Sequence, residues 1–203
     1  REGVKAIVDG DVTIVGTSYI VAARLVTADS VRELASFRGT ASGSDAIIGV
    51  ADEISRKLRA KAGESLRRVA GTPTLAYAST SSLEALKKYS DAVRANDSER
   101  DYPRAIRLLR EAVALDSNFA EAWRKLSVSI RNQGGYAPSV GDSAIRRAFA
   151  LRERMTERER DAVLGYYYQQ NPGYDRQKAI DAYERMLARG DSTVALVNAG
   201  VQY

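Results

Sequence analysis

A chain of 203 residues with 31 Lys+Arg against 26 Asp+Glu carries a formal charge of +5 and is long enough for one domain or two small ones. With no cysteine it can form neither disulfides nor thiolate zinc sites. With no histidine it can build no Ser-His-Asp or Cys-His triad, no histidine-ligated metal centre and no kinase HRD catalytic loop.

The charges are interspersed rather than blocked, which makes a mildly basic surface and not a nucleic-acid footprint. No apolar run approaches the roughly 20 residues of a membrane helix, so membrane insertion is not expected, and nothing resembles a signal peptide. Missing cysteines do not fix a compartment; a soluble segment is expected, with the cytoplasm slightly favoured. The chain opens at Arg1 without a Met and stops at Tyr203 inside a helical pattern, so it reads as a fragment of something longer.

Residues 1–63 predict a small α+β domain. Between Val4 and Phe37 the runs "VKAIVDGDVTIVG", "SYIVAARLVTADS" and "VRELASFRG" are rich in β-branched residues. Turn-like Gly16-Thr17-Ser18 and Ala28-Asp29-Ser30 separate them at hairpin spacing, so three antiparallel strands in a meander are expected. Gly10 predicts a bulge or bend. "GTASGS", Gly39 to Ser44, is expected to be a loop. It lacks the lysine of a P-loop and the spacing of a dinucleotide fingerprint, so it reads as a plain connection.

In the helix that follows, Ile47, Ala51, Ile54 and Leu58 recur at helical spacing, with Arg56, Lys57, Arg59 and Lys61 away from that stripe or in the last turn. One such helix over one face of three strands is a thin unit, so further elements ahead of Arg1 are expected.

Residues 64–80, with Gly71 and Pro73 and no clean period, are assigned as a linker. Residues 81–203 are helical and repetitive. "AIRLLREAVAL" from Ala105, "AIRRAFALRER" from Ala144 and "AIDAYERMLAR" from Ala179 align, with starts 39 and 35 residues apart, which points to helix pairs in an all-α solenoid. Capping boxes are expected at Ser81–Glu84 and Thr156–Glu159, with an Asn version at Asn118–Glu121; Pro103 fits a first helical turn.

These repeats resemble the tetratricopeptide family. Trp123, Leu126 and Ile130 hold its first-helix positions in one repeat, with Ser127 where Gly is usual, and Leu164, Gly165 and Tyr168 hold them in the next, with Gly173-Tyr174 as the turn. Ala105, Leu109 and Ala112, then Ala179, Tyr183 and Met186, fill second-helix positions. The sequence departs from the pattern in the insertion "NQGGYAPSVGDS", in Leu151 at a small position, and in the last helix "TVALVNAGVQY", where Ala199, Gly200 and Tyr203 hold the motif without a partner helix.

The whole chain also resembles regions carboxy-terminal to the kinase domain in some bacterial serine/threonine protein kinases. That likeness is carried by "VDGDVTIVG", "ARLVTADSVRELASFRGTA", "GESLRRV", "SSLEALKKYSDAVRA", "REAVALDSNFAEAWRKL" and "RMTERERDAVLGYYY". The kinase domain itself is not in this chain.

The resemblances imply an α-α superhelical solenoid of about three repeats, the last truncated. They imply a scaffold or sensor rather than an enzyme, with no catalytic residue, no cofactor and no metal. The concave face would carry Lys87, Asp91 and Arg94 in one repeat, Arg124, Val128 and Arg131 in the second, and Ala162, Tyr166 and Gln169 in the third. Four of these nine are basic, so a protein or peptide partner of acidic character is expected, with Arg124 and Arg131 as bidentate anchors and Tyr166 as an apolar contact. Self-association is also open.

Trp123 is read as packing. In "YYY" helical geometry sends the side chains apart, with Tyr168 in the core and Tyr166 towards the groove. "RRAFALRERMTERER" invites nucleic-acid binding, but Glu153, Glu157 and Glu159 interleave its arginines, as on a solvated helix face. A basic-surface nucleic-acid fragment and a small-ligand-sensing first domain are the alternative readings.

Overall fold

The structure is a computed structural model and describes residues 6–64, 74, 79–170 and 174–189. The chain divides into two compact units, Arg1–Ala76 and Tyr77–Tyr203.

In the first unit, strands β1 (Ala6–Val15), β2 (Ser18–Thr27) and β3 (Glu33–Ser42) form an antiparallel sheet in the order β1-β2-β3. Gly16, at φ 61°, supplies the positive φ that the two-residue β1–β2 hairpin needs at its first position. The expected bulge at Gly10 is absent: Gly10 pairs in register with Ala23, and its missing side chain instead leaves room for the Ala22 carbonyl, which a Cβ would meet at 3.0 Å. The irregularity lies in the other ladder, where Leu25 faces Ala35 and Val26 faces Glu33, leaving Leu34 as the extra residue.

The expected loop Gly39 to Ser44 is also corrected. Gly39–Ser42 belong to β3, and only Gly43 and a 3-10 turn at Ser44–Ala46 connect it to helix α1 (Ile47–Lys61). Gly39 pairs with Val21 in the ladder, and it is glycine where α1 crosses closely, a Cβ there falling 2.5 Å from Val50 Cγ1. The helix packs on β3 and β2, burying Ile47, Ile48, Ile54 and Leu58, while Val21, Leu25 and Ala41 are buried on the strands. Every residue of β1 is exposed.

The second unit holds three helical hairpins: α2 (Leu83–Arg94) with α3 (Tyr102–Leu115), α4 (Ala120–Gln133) with α5 (Pro138–Ala150), and α6 (Glu157–Gln170) with α7 (Arg176–Ala188). Packing runs mainly between consecutive helices. Small residues sit where helices approach. Ala85, Ala92, Ala105, Ala112, Ala122, Ala148, Ala179 and Ala182 are fully buried, and a Cβ on Gly165 would fall 2.5 Å from the Tyr183 ring.

The helix starts follow local chemistry, with two corrections. Thr156 and Glu159 form the expected reciprocal box, Thr156 N donating to Glu159 Oε2 at 3.0 Å and Glu159 N to Thr156 Oγ1 at 3.4 Å. At α2 the cap is Ser82, whose hydroxyl accepts from Ala85 N at 3.2 Å, not Ser81. At α4 the cap position is Phe119 with no side-chain bond: Asn118 donates its own backbone N–H to Asp116, and Glu121 turns to Arg124 instead. Asp101 caps α3 ahead of Pro103.

Much of the expected linker, including Gly71 and Pro73, lies outside the described residues, as do Gly173 and the whole "TVALVNAGVQY" segment. Thr80, assigned to the linker, is instead buried in the helical unit, donating to Asp116 Oδ2 at 2.7 Å. The expected insertion is largely helix: after Gly134 and Gly135, both at positive φ, Pro138 starts α5 and Gly141 and Asp142 are buried in it.

Candidate functional site

The first helices of the three hairpins carry the expected face. On α2, Lys87 and Arg94 are exposed and Asp91 is half-buried; on α4, Arg124, Val128 and Arg131 are half-buried; on α6, so are Ala162, Tyr166 and Gln169. Of these, the structure brings Tyr166 near Arg124 and Arg131, while Gln169 meets Tyr183 of α7. Tyr166 lies against Ser127 and within the field of Arg131 and Arg124, and Gln169 Oε1 accepts from the Tyr183 hydroxyl at 2.7 Å.

Neither Arg124 nor Arg131 is a free anchor. Arg124 grips the buried Glu121 with two hydrogen bonds, Nε to Oε2 at 2.8 Å and Nη2 to Oε1. Arg131 pairs with the buried Asp142 of α5, and its Nε–H is buried with no hydrogen-bond acceptor. Arg94 lies 2.7 Å from Asp91 and 3.6 Å from Glu99. The face is therefore a set of closed ion pairs rather than a basic surface.

Sequence reasoning missed the partners that close this network: Tyr89, Glu121, Ser127 and Asp142. The Tyr89 hydroxyl donates to Glu121 Oε1 at 3.4 Å, joining α2 to α4, and Ser127 Oγ donates to the Gly141 carbonyl at 2.8 Å. Beside them Ser129 donates to Asn96 at 2.7 Å, and Lys125 Nζ reaches both oxygens of Asp97 at 2.6 and 2.8 Å. Only Glu121–Arg124, three apart on one helix, carried a signal in the sequence.

Electrostatics follow the burial. Burial raises the Tyr89, Tyr166 and Tyr183 hydroxyls above the usual tyrosine range. Burial opposes the charge of Arg124, but Glu121 more than offsets it and holds the guanidinium above its ordinary value. Burial raises the Glu159 carboxyl against the two hydrogen bonds from Thr156. For Asp97 the balance goes the other way: burial is outweighed by Lys125 and Asn96, which keep it below the ordinary value.

The aromatic run is placed differently from expectation. Tyr168 is half-buried, and the buried tyrosine is Tyr183 of α7, 1% exposed. Tyr167 and Tyr168 do meet, because Phe149 of α5 gathers them: Tyr167 stacks on it at 4.0 Å and Tyr168 stands edge-on at 6.0 Å. Trp123 packs against both hydrophobic clusters around α4 and donates Nε1–H to the Ser117 carbonyl at 2.9 Å, and it stays half-buried rather than enclosed.

Outside this face, the first unit has an apolar recess of about 480 Å³ between β1, β2 and α1, lined by Val8, Val12, Val21, Leu25, Ile54 and Leu58 among others. Among the described residues no group of three or more Asp or Glu is placed to hold a metal ion, and no helix is long and apolar enough to cross a membrane.

Comparison with protein-family models, with curated proteins and with solved structures finds no match for this chain. Function therefore has to be argued from the network itself. It offers tyrosine hydroxyls, carboxylates, amide and guanidinium groups held in fixed positions.

Proposed function

We propose that the chain is a protein–protein interaction module, the scaffolding or regulatory part of a larger bacterial signalling protein, in which tetratricopeptide-like hairpins curve into a superhelical solenoid. One observation carries this reading: Tyr89–Glu121–Arg124 joins α2 to α4, and Ser127–Gly141 and Arg131–Asp142 join α4 to α5, so this face is already ordered before any partner arrives. The partner is an extended peptide segment. Because Arg124 and Arg131 already hold carboxylates and Arg94 is held by Asp91 and Glu99, it meets hydrogen-bonding groups and the Val128 side chain there, and among the described residues of this face an acidic residue finds its cation at Lys87.

Val128→Arg tests the reading, since it adds bulk and charge to the face without breaking an ion pair. Partners retained from a bacterial lysate by the parent chain and lost by the folded variant support it; an identical retained set opposes it. For the first unit, the apolar recess supports a second reading, a sensor of small apolar ligands. Enhanced fluorescence of an anilinonaphthalene dye that Val12→Asp abolishes would support this, and no enhancement would oppose it.

A further inference from the structure

The side of α4 facing away from Arg124 and Val128 borders a different surface. An apolar trough of about 620 Å³ runs between α3 and α5, floored by Trp123, Leu126 and Ile130 of α4 and walled by Ala114 on one side and Val140 and Ala144 on the other. It meets a second recess of about 370 Å³ at Arg110 and Ala114, reaching Tyr136 and Arg107. Tyr136 and Val140 are two of the four large apolar side chains exposed among the described residues of the helical unit. The two glycines at positive φ before Tyr136 place it there, beneath Arg110 at 5.9 Å.

The cations around this trough differ from those on the opposite face in lacking carboxylate partners among the described residues. Arg107, Arg110 and Arg147 are exposed, and among the described residues none of the three has a carboxylate within ion-pair distance, whereas Arg94, Arg124, Lys125 and Arg131 each do. Arg147 lies on the α5 stripe that runs through Val140 and Ala144, and it reaches only the Ser117 carbonyl, at 3.4 Å. Glu111, the one carboxylate lining the recesses, is engaged by Lys88 at 2.6 Å.

From this pattern of apolar floor and unneutralised cations on both walls, we infer that the trough between α3 and α5 docks an amphipathic helix of a protein partner, with an apolar ridge seated on Trp123, Leu126 and Ile130 and acidic flanks towards Arg110 and Arg147. Cations on two walls match carboxylates on two flanks of a helix; a single-headed anionic amphiphile such as a fatty acid would satisfy one wall only.

The test is a displayed library of helices of about 14 residues, with an apolar ridge at helical spacing and flanking positions varied among Asp, Glu, Ser and Lys, selected on the whole chain. The expected result is enrichment of acidic flanks. Binding of the selected helix should weaken by about tenfold or more in Arg110→Glu/Arg147→Glu and in Ser143→Trp, which fills the trough from an exposed position, and stay unchanged in Val128→Arg. Circular dichroism of each variant shows that it is folded. Overturning results are no enriched helix, flanks that are not acidic, binding indifferent to the trough variants, or displacement of thermal unfolding by decanoate without any helix binding.

Discussion

At the scale of single residues, Gly165 shows how a motif position follows from packing. Ala in place of Gly inside a helix ordinarily adds about 0.5–1 kcal/mol of stability. At Gly165 the new methyl would enter the Tyr183 ring, which is buried and tied through its hydroxyl to Gln169. Overpacking of that kind costs about 1–3 kcal/mol, so Gly165→Ala should lose about 1 kcal/mol net, while Gly49→Ala on α1, with open space around it, should be neutral or gain. Urea unfolding distinguishes them; a gain at Gly165 would mean that α6 and α7 are not pressed together there. Glu159 gives a second prediction at this scale. Its folded carboxyl is raised mainly by burial, so the folded state holds the proton more tightly than the unfolded chain, and its contribution to stability falls as pH rises from the unfolded carboxylate range through the folded value. Glu159→Gln, which copies the protonated form, should therefore match the parent at about pH 4 and exceed it at about pH 8. A gap of the same size at both would show that the Glu159 charge is not what the fold opposes.

At the scale of elements, much was legible because the relevant signals are local. The β-branched runs gave three strands, Gly16 gave the first hairpin, and the aligned Ala105, Ala144 and Ala179 segments gave the second helix of each pair. What failed depended on neighbours far along the chain. Gly10 looks like a bulge until Ala22 is seen against it, and Gly39 looks like a loop until Val50 is. Cap positions failed by one residue because Ser81 and Ser82 are equally good caps and only the entry angle chooses between them. That choice can be measured: Ser82→Ala should cost about 1 kcal/mol by removing the acceptor for Ala85 N, and Ser81→Ala should stay within about 0.5 kcal/mol. The reverse order in thermal unfolding would return the cap to Ser81.

At the scale of the molecule, the charge state of the candidate face was not legible in the sequence. The resemblance set Arg124, Val128 and Arg131 on one side of a helix, yet the carboxylates that neutralise the two arginines lie on the preceding turn and on the following helix, and pairing of Arg131 with Asp142 depends on how α5 folds back over α4. The same dependence on neighbours limits how far a perturbation should travel. Each described helix of the second unit packs mainly on the helices before and after it, and α6 is joined to α7 through Tyr183–Gln169 and through Asp161, which holds both Arg185 and Arg189. In such an arrangement stability is close to a sum of local terms plus nearest-neighbour terms, so loss at one interface is felt first by the pair that shares it. Gly165→Ala should accordingly raise amide exchange in α6 and α7 by about fivefold while leaving α2 and α3 near the parent rates, as read by hydrogen–deuterium exchange with mass spectrometry. Equal acceleration across all six helices would mean that the Tyr89–Glu121 link and the packing between hairpins bind the unit into one cooperative block, and the ordered face would then be a property of the whole unit rather than of adjoining hairpins.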